Sequence, residues 1–131
     1  MDNQRFVLDT NAVILLLRSE TVPKTYDSSE FFVSIVSRME LLSKPDITLE
    51  DERDIQGFLS HATVVGIDDS IESTVIALRR SKKLKLPDSI IAATAIILKA
   101  TLLTHDDQLL HLSWPSYQAQ DIAFTVNALE R

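Results

Sequence analysis

Short apolar segments that are typical of buried strands alternate with longer helix-like segments along this chain of 131 residues. The strand-like segments are RFVL (5–8), FFVSI (31–35), ATVVGI (62–67) and ATLLT (100–104), and we expect a fifth at IAFTV (122–126). The chain has only two glycines, and no tight hairpin signal lies between the strands. Strands joined through helices pair in parallel. The sequence therefore predicts an α/β fold with a mostly parallel sheet between helices.

Helix boundaries are predicted from capping residues and apolar periodicity. The expected helix starts are the segment Asp9 to Asn11, Val36, Thr48 with Asp51, the capping-box-like pair Asp69 and Glu72, and Pro87 with Asp88. The polar segment 19–30 is the most loop-like part of the chain. No repeat or linker is visible, so we expect one domain over residues 1–131.

The bulk composition is that of an ordinary globular protein, with 45% hydrophobic and 24% charged residues. The absence of cysteine excludes disulfides and thiolate metal sites. No apolar stretch reaches the roughly 18 residues of a membrane span, and the N-terminus lacks the pattern of a signal peptide. We therefore expect a cytoplasmic protein with no membrane role. The net charge of −6 argues weakly against wholesale binding to nucleic acid.

Four carboxylates fall at positions that a parallel sheet would bring to one edge. Asp9 follows the first strand, Glu40 lies on the helix after the second, Asp88 begins a helix, and Asp106 follows the fourth strand. In such sheets ligands bind outside the carboxyl ends of the strands. Clustered carboxylates repel one another unless a cation lies among them, and oxygen ligands suit Mg²⁺ or Mn²⁺. Such a site favours hydrolysis of a phosphodiester.

Each acid also has an ordinary structural interpretation. Asp9 and Asp88 are well placed to cap helices, and Glu40 is compatible with a solvated helix face. Asp106 and its neighbour Asp107 are common turn residues. Four independent caps need not converge, and convergence of the acids therefore separates the two interpretations.

A basic run immediately precedes the acidic residue at position 88. Its five members lie within seven residues: Arg79, Arg80, Lys82, Lys83 and Lys85. One interpretation is a solvated helix end that the helix dipole favours. The other is an edge that binds phosphates and steers RNA toward an otherwise repulsive site. His105, beside the predicted site, is expected to face the solvent.

Three stretches, FVLDTNAVI, IVSRMELL and KLKLPDSIIAATAIILKATLLTHDDQL, resemble in order and spacing the PIN-domain ribonucleases, and in particular the toxin branch called VapC. The resemblance covers nearly the whole chain. It implies a five-stranded parallel sheet with flanking helices and an endoribonuclease activity that depends on Mg²⁺ or Mn²⁺. It also implies a homodimer that a cognate antitoxin holds inactive.

The resemblance assigns a role to each acid. Asp9 and Asp88 would bind the metal, and Glu40 and Asp106 would complete the quartet by helping to hold the metal or its waters. Asp106 aligns best with the closing acid of the family, although Asp107 is an alternative.

Supporting roles follow from the same resemblance. Thr10 and Asn11 would brace the first aspartate, and Thr104 would support the last one through its hydroxyl group. The family often has a further helix between the first helix and the second strand, and the segment 19–30 looks too polar and short for one. Antitoxin docking and dimer geometry are therefore expected to differ from the family pattern.

Two other functional classes compete with the ribonuclease. A receiver-type signalling module also has acidic strand ends, but it normally begins with adjacent acids after its first strand and carries a lysine at a late strand end. Asp9 stands alone here, and the fourth strand closes with Thr104 and His105. A catalytically silent relative that only binds RNA or a partner is the second alternative, and the presence of all four acids argues against it.

Overall fold

A computed structural model describes residues 4–19 and 29–122 of the chain, and within them five strands form one sheet. The strands are β1 (Arg5–Leu8), β2 (Glu30–Ser34), β3 (Thr63–Val65), β4 (Thr101–Thr104) and β5 (Gln118–Asp121). Their order is β3-β2-β1-β4-β5, and every neighbouring pair is parallel. The prediction of an α/β fold with a five-stranded parallel sheet is confirmed.

Helices connect these strands and cover both faces of the sheet. They are α1 (Thr10–Arg18), α2 (Ile35–Leu42), α3 (Leu49–Leu59), α4 (Asp69–Ser81), α5 (Leu86–Leu98) and α6 (Asp107–Leu110). The predicted capping box at Thr48 and Asp51 is present and begins α3. None of these helices has the length and apolar character that crossing a bilayer requires, as far as the described residues extend.

The core has two layers because successive side chains of a strand point to opposite faces of the sheet. On β1, Phe6 and Leu8 pack with α1 and α3, whereas Val7 packs with α4 and α5. On β4, Leu103 joins the first layer and Leu102 joins the second. These two central strands are buried on both faces, which explains why their sequences are apolar without alternation.

Two element boundaries differ from the sequence prediction. The N-cap of α4 is Asp68, whose Oδ1 accepts a hydrogen bond from the Ile71 N–H at 2.8 Å, so Asp69 lies inside the first turn. Within the described residues the fifth strand is Gln118–Asp121, so it begins four residues before the predicted segment 122–126. The edge strand β5 is partly exposed, and its sequence QAQD therefore lacks the apolar run that the prediction relied on. Residues 123–126 lie outside the described part of the chain.

The strand order places a crevice between β1 and β4. The chain moves from β1 through β2 to β3 on one side, and then crosses to β4 and β5 on the other side. Such a reversal of strand order opens a crevice at the carboxyl ends of the two strands that flank it. Asp9 directly follows β1, and Asp106 lies two residues after β4.

Candidate active site

The carboxylate of Asp9 is held by groups from two different elements. Its side chain is only 5% exposed. Oδ1 accepts a hydrogen bond from the backbone N–H of Ala12 at 2.8 Å, which caps α1. Oδ2 accepts a hydrogen bond from the hydroxyl of the buried Thr104 on β4. This side chain therefore has a fixed orientation at the crevice between β1 and β4.

The hydroxyl of Thr104 also connects Asp9 to the next acid. Its Oγ accepts a hydrogen bond from the backbone N–H of Asp106 at 3.0 Å. Asp106 is the N-cap of α6, and its Oδ1 accepts a hydrogen bond from the Leu109 N–H at 3.1 Å. One buried hydroxyl thus fixes the relative positions of two carboxylates.

Asp88 lies in the first turn of α5 but does not cap it. The N-cap position belongs to Lys85, and Pro87 occupies the first turn. The half-buried carboxylate of Asp88 accepts no hydrogen bond from the described residues. The structural interpretation of Asp88 as a helix cap is therefore wrong, and its oxygens are available to a ligand.

Glu40 is an exposed residue near the end of α2. Its Oε1 accepts a hydrogen bond from the hydroxyl of Thr10 at 2.7 Å. The prediction that Thr10 and Asn11 brace Asp9 is therefore wrong in its contacts, because Thr10 holds Glu40 instead. Asn11 is exposed, and its side chain makes no hydrogen bond with the described residues.

The four acids influence one another electrostatically. Burial raises the pKa of the Asp9 carboxyl most, its hydrogen bonds from Thr104 and Ala12 lower it, and the charges of Asp106 and Glu40 raise it. Burial is also the largest cause of the raised pKa of Asp88, followed by the charges of Asp106, Glu40 and Asp9. The structure therefore brings the four predicted acids together as one anionic group.

Asp107 does not belong to this group. It is the exposed first residue of α6, and its charge shifts the pKa of neither Asp9 nor Asp88. Asp106, whose charge acts on both, is therefore the better candidate for the closing acid.

The basic run surrounds the turn between α4 and α5. Its five side chains, Arg79, Arg80, Lys82, Lys83 and Lys85, are all exposed. The two arginines occupy the last turn of α4, which agrees with stabilisation by the helix dipole. Of the five, Lys85 is the one whose charge acts on the acids, because it lowers the pKa of Asp88.

Sequence reasoning missed two contacts near this group. The half-buried Tyr117 donates a hydrogen bond from its hydroxyl to the Leu109 carbonyl at 2.5 Å. Its pKa is raised by burial and then by the charges of Asp9 and Asp106. The second contact joins Nδ1 of the exposed His105 to Oδ1 of Asp121 at 3.1 Å. A correct placement of β5 would have put Tyr117, which precedes this strand, and Asp121, which ends it, near the site.

The donor set fits a divalent ion that keeps most of its waters. Among the described residues, no three acidic or histidine side chains are arranged to bind one ion together. Mg²⁺ needs only one or two carboxylates from the protein, since water supplies its other ligands. Burial first, and then mutual repulsion, raises the pKa of Asp9 and Asp88, and a bound cation would oppose both effects by favouring the charged carboxylates. The all-oxygen anionic site therefore suits Mg²⁺ or Mn²⁺.

The fold of this chain matches that of known proteins. The model of the PIN domain family matches residues 6–115. A toxin–antitoxin complex from Klebsiella pneumoniae contains a chain with 26% identity and a TM-score of 0.66, and the match covers 85% of this chain and 93% of that one. No curated protein gives a significant match.

Two further solved structures have the same fold. VapBC2 from Rickettsia felis, bound to a DNA fragment from its promoter, matches with 19% identity and a TM-score of 0.72 over 89% of this chain and 98% of that chain. DNA-bound VapBC from Salmonella typhimurium matches with 21% identity and a TM-score of 0.71 over 91% and 98%, respectively. The resemblance predicted from the sequence motifs is confirmed, and the chain belongs to the PIN domain family.

Proposed function

We propose that this protein is an endoribonuclease that depends on Mg²⁺ or Mn²⁺. The observation that carries the proposal is the electrostatic coupling of four carboxylates at the point where the strand order reverses. These carboxylates come from four separate parts of the sequence. Their gathering costs the folded protein repulsion, which a bound cation would offset.

In this proposal Asp9 and Asp88 hold the metal. Glu40 and Asp106 hold the metal or its waters from the two sides of the crevice. A bound divalent ion lowers the pKa of its water and offsets charge on a phosphoryl group, which is the chemistry that phosphodiester hydrolysis needs. Thr104 fixes the orientation of Asp9, and Thr10 does the same for Glu40. This pre-orientation reduces the reorganisation that the reaction requires.

The basic run is the proposed contact for the RNA backbone. It consists of Arg79, Arg80, Lys82, Lys83 and Lys85, and it borders the acidic group through the pair of Lys85 and Asp88. A net charge of −6 gives RNA no general attraction to the protein. A local basic edge would steer the phosphates toward the acids, and binding through it would weaken with salt.

We further propose that the protein is the toxin of a toxin–antitoxin pair, that it acts in the cytoplasm as a homodimer, and that a separate antitoxin chain inhibits it. The similarity to the chain in the Klebsiella pneumoniae toxin–antitoxin complex supports the partner. A test is co-expression with the protein encoded by the adjacent reading frame. Co-purification and loss of cleavage are expected.

The strand order bears on the first alternative function, the receiver, and the acidic group bears on the second, the silent PIN-like protein. A receiver-type sheet has the strand order 2-1-3-4-5, whereas the order here is β3-β2-β1-β4-β5, so the receiver interpretation is wrong. A silent PIN-like protein would not need four mutually repelling carboxylates, and their coupling favours the enzyme.

The decisive experiment compares RNA hydrolysis by three charge-matched variants. Asp88→Asn and Asp9→Asn are expected to lose about 100-fold or more of the cleavage rate, because each removes one charge that would hold the ion. Asn caps a helix as well as Asp does, so α1 should survive the second substitution. Asp107→Asn is the control, since it removes the same charge next to the site but outside the acidic group. Equal cleavage by all three folded variants would refute the proposed site.

A double lysine variant and a single lysine control test whether the basic run contacts RNA. Lys82→Ala with Lys83→Ala should flatten the salt dependence of RNA binding by a slope of about 0.7 for each phosphate that the lysines no longer neutralise. Lys44→Ala is the control, because Lys44 lies beyond α2, on the side of α1 and α3. An unchanged slope in the double variant would exclude the run as an RNA contact.

A further inference from the structure

Helix α6 carries one of the four acids but is too short to be stable alone. It is four residues long, and Asp106 is its N-cap. A single helical turn fixes several backbone dihedrals for very few hydrogen bonds, so isolated helices of this length do not form in water. Its position, and with it that of the Asp106 carboxylate, must come from contacts with the rest of the fold.

Two of the contacts that hold α6 involve Leu109. The side chain of Leu109 is buried in the core at 1% exposure. Its carbonyl belongs to the last turn of the helix, where backbone oxygens lack partners within the helix. The Tyr117 hydroxyl donates to this carbonyl at 2.5 Å. One end of α6 is therefore closed by Asp106 and the other by Tyr117.

Tyr117 is itself firmly placed. Its backbone N–H donates to the Trp114 carbonyl at 3.1 Å, and the intervening Ser116 has a left-handed φ of 64°. Strand β5 begins at the next residue, Gln118, which pairs with Thr101 of β4. Tyr117 therefore directly precedes a strand of the same sheet that positions Asp9.

We infer that Tyr117 is a positioning residue of the acidic site, because its hydroxyl holds α6 so that the Asp106 carboxylate stays beside Asp9. A continuous series of hydrogen bonds connects the two ends: Tyr117 to Leu109, Leu109 to Asp106, Asp106 to Thr104, and Thr104 to Asp9. The inference rests on the proposed function, since it concerns how the metal-binding carboxylates are held.

The electrostatics place the phenol close to the acids independently of this series. The charges of Asp9 and Asp106 both raise the pKa of Tyr117, so its hydroxyl stays protonated and remains a donor. The ring also packs against the core layer that contains Leu109. Phenylalanine would keep that packing and lose only the hydroxyl, which makes Tyr117→Phe the appropriate variant.

The test measures Mn²⁺ affinity by calorimetry or electron paramagnetic resonance, without RNA. Tyr117→Phe should bind Mn²⁺ about 5-fold more weakly than wild type, the effect of removing one hydrogen bond outside the ligand shell. The control is Thr94→Val, which removes another buried hydroxyl that donates to a carbonyl, that of Ile90 at 2.7 Å, far along α5 from Asp88. Thr94→Val should lose stability and keep wild-type Mn²⁺ affinity.

A double-variant cycle separates positioning from general destabilisation. In an Asp106→Asn background, Tyr117→Phe should cause no further loss of Mn²⁺ affinity, because the hydroxyl acts through Asp106. An equal loss in both backgrounds would overturn the inference, and so would wild-type affinity in Tyr117→Phe. Either result would leave the proposed function intact. A wild-type protein that neither binds Mn²⁺ nor cleaves RNA would overturn the proposed function and this inference with it.

Amide hydrogen exchange can be measured even if Tyr117→Phe is too unstable for a Mn²⁺ titration. The amides of Leu110 and His111 donate to the carbonyls of Asp106 and Asp107 at 2.9 and 3.0 Å. They should be protected in wild type and lose protection in Tyr117→Phe, while β4 remains protected. Free exchange of both amides in the wild-type protein would show that Tyr117 does not hold α6, and would overturn the inference.

Discussion

Replacing Thr104 by valine is a sharp test of how the site is held. Valine has nearly the shape of threonine and fits the same position on β4, but it has no hydroxyl group. The substitution removes the donor to Asp9 and the acceptor for the Asp106 N–H in one step. It leaves the four carboxylates themselves in place.

The expected cost follows from the two hydrogen bonds that meet at this hydroxyl. A hydrogen bond to a charged group contributes about 1.5–3 kcal/mol and a neutral one about 1 kcal/mol. The added methyl group of valine returns about 0.8 kcal/mol through burial. We therefore expect the free energy of unfolding to fall by about 2 kcal/mol. For a domain of this size that lowers Tm by about 7 °C.

The loss of stability caused by Thr104→Val should depend on pH, and the raised pKa of Asp9 determines the direction of this dependence. The pKa of Asp9 is raised above its ordinary value of 3.8, so the folded protein loses stability as pH rises from that value through the raised pKa. The Thr104 hydrogen bond lowers the pKa of Asp9, and its loss raises that pKa further. The difference between variant and wild type should therefore be small at about pH 4 and larger at neutral pH.

The assay is urea unfolding of both proteins across this pH range, without metal. Thr101→Val is the control, because it makes the same chemical change on the same strand at a side chain without a hydrogen bond to the described residues, and it should shift stability by less than about 0.5 kcal/mol. Equal effects of the two substitutions, or a Thr104→Val cost that shrinks as pH rises, would refute this account of Thr104 and Asp9.

Three further predictions concern stability. Without metal and at neutral pH, Asp88→Asn should raise the free energy of unfolding by up to about 1 kcal/mol, because it removes a partly exposed carboxylate that burial and then three like charges destabilise; a lower Tm would contradict this. The same variant should lose the stabilisation of about 2.7 kcal/mol that a metal concentration 100 times Kd gives the wild type. Lys99→Gly should stabilise the protein by about 1 kcal/mol, because Lys99 ends α5 at a left-handed φ of 54°; the control Lys82→Gly, at φ −130°, should not.

Much of the fold was predictable because its signals are local. Buried strands β1 and β4 are apolar runs, and Thr48 with Asp51 is a capping box that forms within four residues. These features depend on neighbouring side chains and on the backbone alone. The edge strand β5 was misplaced because half of its residues face the solvent, which removes the apolar signal.

In the candidate site, too, one part was predictable from the sequence and another part was not. The positions of Asp9 and Asp106 followed from the ends of two predicted strands, so convergence of the acids was foreseeable from topology. The hydrogen-bond partner of each side chain was not foreseeable. Thr10 holds Glu40 from 30 residues away, and Thr104 reaches Asp9 across 95 residues.

The sequence by itself determined the α/β class, the approximate starts of α1 to α5 and of the central strands, and the residues that supply negative charge, but it gave no sign of the short α6. Only the tertiary structure decided the strand order, the location of β5, and the contacts of Tyr117 with α6. The physical reason is the separation along the chain of the residues that determine each feature. The caps and apolar patterns that signal helices and buried strands lie within a few positions, whereas a hydrogen bond between distant segments forms only once the sheet has fixed where each segment ends.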